Sequence, residues 1–297
     1  MSAAANLRGG LVVTFSMAAF AVEDALIKDL TTRLPLGEVM LLLGLGGAAV
    51  FFAIIGDAGR RGVLRGFRSG TVMFRNLAEC VSGATFIPAL ALVPISTVAA
   101  VFQATPLAIT AAAALFLGET VGWRRWSAVT VGFIGVLMII RPGLEGFEPA
   151  AALVLVTVIS IAFRDIITRR VPADLPSGAV ACHGFLAVAV IGLGFLALSG
   201  GAVPLSLPDL GKMAAAVAAG TSGYYAIVAA MRIGDASALM PYRYSRLIFS
   251  MMIGMAFFAE RPDALTLAGA ALILAAAFYT YLRERRVSRA HRAAPAE

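Results

Sequence analysis

The chain has 297 residues, 60% of them hydrophobic before its 30 glycines are counted, with only 14% charged and a mean hydropathy of +0.89. With glycine the apolar share is about 70%, against about 45–50% in soluble domains, which is more than one soluble core hides and far too apolar for a disordered chain. The formal charge of +7 comes from basic residues gathered at helix ends rather than in one basic domain, which argues against nucleic acid as a partner.

At about 20 apolar residues per bilayer crossing, the runs between charge, proline and glycine predict ten spans: 9–29, 36–56, 69–92, 95–117, 125–141, 148–169, 176–199, 209–231, 236–258 and 264–282. The expected fold class is therefore all-α, integral to the membrane. The second span runs from Val39 to Gly56 without a charge, whereas the third and sixth each carry an arginine and a carboxylate. Within the first, Ala19-Phe20-Ala21 after Arg8 has the look of a signal-peptide cleavage site, an alternative disfavoured by the repeat described below. Cys80 and Cys182 lie in apolar stretches without metal-ligand spacing and are read as packing residues.

Basic residues set the orientation. Arg8, the Arg60–Arg68 group, Arg124, Arg125, Arg169, Arg170, Arg232 and the tail arginines fall on one side. Lys28, Arg33, Arg141, Lys212 and Arg261 fall on the other. Both termini are thus expected in the cytoplasm of a bacterium, as a multi-pass protein of the inner membrane. The tail from residue 284 is expected to touch anionic lipid headgroups.

The chain resembles itself at an offset of 141. Leu34-Pro35-x-Gly37-x-Val39 recurs as Leu175-Pro176-x-Gly178-x-Val180; Asp24 matches Asp165, Ser96 matches Ser237, Phe116 matches Phe257 and Glu119 matches Glu260. A four-residue slip then aligns Gly132 with Gly269. A unit of five spans is odd, so its second copy sits upside down in the bilayer. Inverted repeats of this kind support alternating access around a midplane site. The domains expected are 9–141 for the first repeat, 148–283 for the second, and 284–297 for a basic tail.

Gly118-Glu119-x-x-Gly122-Trp123, followed by Gly132-x-x-Gly135-Val136 and Arg141-Pro142-Gly143, resembles the end of a first EamA repeat in the drug/metabolite transporter superfamily. Ala259-Glu260-x-Pro262-Asp263 with Leu267-Ala268-Gly269-Ala270-Ala271-Leu272-Ile273 is similar to the end of the second. The resemblance covers about residues 10–283 and departs from the family at Ala259, where glycine is common. It implies ten helices in two inverted halves, with helices 1, 3, 4, 6, 8 and 9 around a central cavity and 5 and 10 at the periphery.

Eight charged residues lie inside the spans: Arg75, Arg164, Arg243 and Arg246, and Glu23, Asp24, Glu79 and Asp165. Each costs about 2.5–3.5 kcal/mol at mid-bilayer, so they should face a polar cavity or one another. Helix 9 carries Met240-Pro241-Tyr242-Arg243-Tyr244-Ser245-Arg246. Arg243 and Arg246 at i and i+3 should share a face with Tyr242, suited to gripping a carboxylate or phosphate. Pro241 should disturb the helix ladder there. The alternative is that these arginines pair permanently with buried acids.

Phe102 and Gln103 in helix 4 occupy the matching depth. Glu79 and Ser82 in helix 3, and Tyr224, Tyr225 and Thr221 in helix 8, complete the candidate substrate site with Tyr244. Arg75 with Glu79, and Asp24, Asp165, Glu23 and Arg164, are candidates for gating or proton coupling. His183 is read as a hydrogen-bonded packing residue. No catalytic cluster, metal-ligand set, cofactor site or phosphate-binding loop is expected.

The function expected is secondary transport of a small polar metabolite, best matched by an amino acid or another zwitterion or carboxylate. A carrier of an aromatic metabolite such as a flavin or nucleoside is the alternative. A channel and a membrane enzyme are lesser ones. The small-residue faces around Gly132, Gly135 and Gly269 are read as close helix packing, within one chain or across a homodimer.

Overall fold

The computed structural model describes residues 3–118, 122–143, 148–172, 174–233 and 236–293. The described chain is entirely helical in its regular structure. Its elements are α1 (Ala3–Leu30), α2 (Leu36–Ile54), α3 (Gly56–Gly66), α4 (Gly70–Leu92), α5 (Ile95–Phe102), α6 (Thr105–Leu117) and α7 (Trp123–Ile140). They continue with α8 (Ala151–Thr168), α9 (Ser177–Leu198), α10 (Leu207–Ile233), α11 (Ala236–Arg243), α12 (Ser245–Phe257) and α13 (Ala264–Ala293).

Among the described residues eight segments are long and apolar enough to cross a membrane, with α5 and α6 counted as one. The third predicted span, α4, is not among them, because Arg75, Asn76 and Glu79 lower its hydropathy. The ninth is divided into α11 and α12, each too short to cross alone.

Helix pairing follows an inverted repeat. The most extensive packing is α2 on α9, α1 on α10, α7 on α13 and α4 on α8. The first and third of these join matching helices of the two halves. The other two are one contact and its image, since the counterpart of α1 is α8 and that of α10 is α4.

The recurring Leu-Pro-x-Gly-x-Val motif explains itself here. Pro35 and Pro176 stand at the N-termini of α2 and α9 with φ −53° and −59°, where a missing N–H costs nothing. Gly37 touches the backbone at Leu196, and Gly178 touches the side chain of Ile55. Because 196 − 55 = 141, these are the same contact seen from each half.

The glycine faces pack within the chain. Gly135 of α7 and Gly269 of α13 lie backbone to backbone, so that a Cβ on either would come 2.7 Å from the other's carbonyl oxygen. Small residues let two apolar helices approach where lipid gives no hydrophobic drive. Around them a large core runs through the bundle, with Leu30, Met40, Leu90, Ile95 and Ile273 fully buried.

The span 95–117 is a broken helix. α5 ends at Phe102 and α6 begins at Thr105, with tight Gln103 N–H to Ala100 O (3.2 Å) and Ala104 N–H to Val101 O (3.0 Å) bonds between them. The span 236–258 breaks at Tyr244, whose N–H reaches Pro241 O at 3.3 Å. The two breaks coincide under the repeat, since 244 − 103 = 141. A hydroxyl patches each: Thr105 Oγ1 donates to Phe102 O at 2.6 Å and Ser245 Oγ to Tyr242 O at 2.7 Å. Pro241 lies inside α11 rather than at the break.

The end of the bundle carrying Lys28 is held by a set of polar ties. Lys28 Nζ donates to the C-terminal carbonyls of α4, Leu90 O at 2.9 Å and Val93 O at 2.6 Å. Glu260 accepts from Ile95 N–H (2.6 Å), Ser96 N–H (3.0 Å) and Ser96 Oγ (2.7 Å) at the start of α5. Lys212 pairs with Asp29 at 2.6 Å, and Arg33 pairs with Asp209 and Arg141 with Asp263 at the same end. A cavity of about 190 Å³ lies among these ties, lined by Ser96, Arg141, Glu148, Glu260 and Asp263. None of the substrate-site candidates lines it.

The segment between α2 and α4, expected as a basic loop, is instead the helix α3 packed on α9. Glu119, the match of Glu260, lies outside the described residues, as do the side chains of Ser237 and of the tail from residue 284.

Candidate functional site

Buried charge in the spans gathers into two neutral groups. In the first, Arg246 of α12 crosses to α1 and bonds Asp24 at 2.6 Å. Its guanidinium lies over Phe20 of α1, Phe86 of α4 and Phe102 of α5, at 5.4, 5.8 and 4.8 Å from the ring centroids. The quadrupoles of three rings thus add to one carboxylate in holding this cation. Phe102 is brought to Arg246 as the sequence suggests, although as a wall of its cage.

The second group lies between α4 and α8. Arg75 pairs with Glu79 at 3.0 Å, one turn on, and Arg164 reaches the other Glu79 oxygen at 3.2 Å and Asp165 at 2.7 Å. Arg75 also donates to Thr168 Oγ1 at 3.2 Å. The local Arg75–Glu79 pair is legible as an i, i+4 spacing. Its extension by Arg164 comes from the α4–α8 contact.

These pairings leave Arg243 and Glu23. Among the described residues neither makes an ion pair. Arg243 ends α11 with an exposed side chain, yet Asp165, Arg164, Tyr244 and Arg246 are its electrostatic neighbours. Arg243 thus combines exposure with neighbouring intramembrane charge. Arg243 and Arg246 therefore differ in surroundings: Arg243 is exposed, and Arg246 is sequestered by Asp24 and the three rings. Glu23 is half-buried and seated against Gly220 of α10, where a side chain of any size would collide with its carboxylate.

The other candidates divide. Gln103 stands in the break between α5 and α6, 6% exposed, and its Nε2 has no hydrogen-bond partner. A buried orphan donor of this kind calls for a ligand or water. Tyr224 is half-buried, edge-on to Phe51 at 5.3 Å, with Arg75, Arg164, Glu79 and Asp165 as electrostatic neighbours. Tyr225, one residue on and about 100° around the helix, is 65% exposed and turns away from that group. Tyr242 is taken up in packing, its ring covering Gly10 of α1 beside Val13 and Leu239. Ser82 and Thr221 are buried, and Tyr244 is half-buried at its break.

One link was not anticipated. His183 Nε2 donates to Val63 O of α3 at 2.9 Å, while Asn76 Nδ2 lies 3.2 Å from His183 Nδ1. Since a carbonyl only accepts, Nε2 carries the proton and Nδ1 accepts from Asn76. No group of three or more His, Cys, Asp or Glu side chains among the described residues could hold a metal ion.

A many-helix bundle paired as an inverted repeat, with broken helices and charged side chains within its spans, has the architecture of a membrane transporter. Residues 149–282 match the model of the EamA-like transporter family. A riboflavin transporter of Rhizobium johnstonii is 30% identical over 73% of this chain and 72% of that protein. The S-adenosylmethionine uptake transporter of Rickettsia felis is 27% identical over 93% of both chains, and the pseudopaline exporter CntI of Pseudomonas aeruginosa is 26% identical over 90% of this chain and 94% of that one. A crystal structure at 21% identity, covering 97% of this chain and 99% of the other, shares the fold with a TM-score of 0.62. The chain belongs to the EamA-like transporter family of the drug/metabolite transporter superfamily, and is a multi-pass inner-membrane transporter of small molecules.

Proposed function

We propose that the protein carries a heteroaromatic metabolite of the nucleoside or flavin class that bears a charged head, with an adenosyl compound carrying an amino-acid head as the best match. The observation that supports this reading is the charge left after pairing. Arg246 is matched by Asp24, and Arg75 and Arg164 by Glu79 and Asp165, which leaves one guanidinium at Arg243 and one carboxylate at Glu23. A zwitterionic head completes both, its carboxylate taken by the planar donors of Arg243 and its cation by Glu23. The ring system would lie along Tyr224 and Tyr244 with its polar edge on the orphan Gln103 donor. The relatives, which include S-adenosylmethionine and riboflavin transporters, favour a ring-bearing substrate over a plain amino acid.

In this reading the chain crosses the bilayer ten times, α5–α6 and α11–α12 each making one crossing, with both termini cytoplasmic. The tied end with Lys28 and Glu260 then faces outward, and its ties are the contacts that would bar access from outside. Alternating access requires those ties to open.

Counterflow in proteoliposomes preloaded with S-adenosylmethionine, riboflavin or an amino acid mixture tests the proposal. Trans-stimulated uptake of a ring-bearing class is expected, with Arg243→Ala losing exchange and Arg243→Lys retaining part of it. Unchanged kinetics in a folded Arg243→Ala protein would remove Arg243 from the site. Flux without trans-stimulation would make the protein a channel.

A further inference from the structure

α3 is a helix made mainly of glycine and arginine, lying between the ends of α2 and α4. Its buried positions are Gly59, Gly62, Val63 and Gly66, set against neighbours that include Pro176 and His183 of the α9 side. Its other side is of a different kind. Leu64 is 66% exposed and Phe67, just past the helix end, 53%. Arg60 is bonded to Asp57 and to the Phe52 and Ala53 carbonyls, and Arg65 to Asp174 at 2.9 Å. Arg61 and Arg68 are exposed and, among the described residues, make no ion pair. Arg61 and Leu64 stand at i and i+3, on one side of α3, and Arg68 follows two residues past the helix end. Apolar side chains exposed between guanidinium groups, at the level where two spanning helices end, have the composition of a helix lying in a membrane interface.

We propose that α3 is a docking surface for anionic phospholipid headgroups, held by Arg61 and Arg68, and that its docking is felt in the Arg75–Glu79–Arg164 group through His183 and Asn76. The link is a chain of directed hydrogen bonds. Arg75 Nη1 donates to Asn76 Oδ1 (3.4 Å), Asn76 Nδ2 to His183 Nδ1 (3.2 Å), and His183 Nε2 to the Val63 carbonyl of α3 (2.9 Å). Arg75 in turn pairs with Glu79, which holds Arg164. The Phe67 ring, at the lipid-facing end of α3, also sits edge-on to the His183 ring at 4.6 Å. A shift of α3 in the interface therefore moves a hydrogen-bond acceptor of a chain that ends on the intramembrane charges. The occupant is a lipid headgroup rather than a soluble anion, because Leu64 and Phe67 add apolar contact that a free anion cannot use.

Amide hydrogen exchange of the full chain in nanodiscs tests this without any transport substrate. Replacing neutral phosphatidylcholine discs by discs containing phosphatidylglycerol should slow exchange across residues 56–68 about fivefold or more, the gain of at least one arginine at an anionic surface. The slowing should extend to the segment of α4 around Asn76. Arg61→Gln with Arg68→Gln should abolish both effects while α2 and α9 exchange as before. Asn76→Ala should keep the first effect and lose the second. Equal exchange in the two kinds of disc, slowing that persists in the double variant, or slowing produced by inorganic phosphate in neutral discs would overturn the docking surface. Slowing confined to α3 in the wild type would overturn the link to the charge group.

Discussion

Ser96 and Glu260 are hydrogen-bonded to each other across the two repeats, Ser96 Oγ donating to Glu260 Oε2 at 2.7 Å. Both positions recur at the offset of 141, as Ser237 and Glu119, so two unrelated-looking matches belong to one contact. Glu260 also accepts two backbone N–H groups at the start of α5. Glu260→Gln removes the charge and one acceptor from three donors, and a loss of about 1–3 kcal/mol is expected. Ser96→Ala, which spares the backbone donors, should cost less. Thermal unfolding of the two variants in detergent checks the order.

Asp24→Asn leaves Arg246 charged among three phenyl rings, and should destabilise by about 3–5 kcal/mol, the cost of breaking a buried pair from one side. The double variant Asp24→Asn with Arg246→Met removes the orphaned charge and should recover most of that loss. A double-mutant cycle in which the two losses simply add would show that the pair contributes no coupling.

Gly269→Ala puts a Cβ 2.7 Å from the Gly135 carbonyl oxygen, a backbone atom that moves only with its helix. A cost of about 1–3 kcal/mol is expected. Gly211→Ala in α10 meets nothing within 4 Å and should be neutral or stabilising by about 0.5–1 kcal/mol. Unfolding temperatures that rank the two variants the other way would refute close α7–α13 packing.

Ala259 has φ 52°, the left-handed region that costs an L-residue about 1–2 kcal/mol. It stands just before Glu260, where the resemblance to an EamA repeat leads one to expect glycine. Ala259→Gly should therefore raise the unfolding temperature, less the added entropy of the unfolded glycine. No rise would mean that the turn relaxes around alanine at no cost.

Arg141 beside Asp263, helped by Thr266, holds the Asp263 carboxyl well below the usual carboxylate range. A carboxylate whose pKa is depressed on folding contributes stability above its unfolded pKa and loses it as pH falls through the folded one. The unfolding-temperature gap between the wild type and Asp263→Asn should hold steady from neutral pH down to about 4 and shrink below it. The gap should be small, because Asp263 is half exposed.

Hydropathy and the offset of 141 were enough to place most of the helices, their inverted-repeat pairing and the Pro-x-Gly helix starts, since each depends on residues close in sequence or on a constant spacing. The Arg75–Glu79 pair was legible for the same reason. The partners Arg246–Asp24 and Arg164–Glu79 were not, because 222 and 85 residues separate them and only packing brings them together. This is why Arg243 and Arg246, alike in sequence, have opposite fates. α3 was hidden by its glycines, poor helix formers in isolation. Their recurrence at 56, 59, 62 and 66 is the signal that could have revealed a helix pressed against another. Tyr224 and Tyr225 could not be ranked without the orientation of α10.

The paired interruptions at Gln103 and Tyr244 mean that each half of the molecule contains one jointed rod. In a two-fold arrangement the joints are interchangeable parts, so what one does at one mouth the other can do at the opposite mouth. Stapling α11 to α12 while leaving α5 and α6 free to bend would then arrest only one of the two strokes. Under the alternating access proposed above, the protein would be left able to load from a single side, and able to release back only to that side.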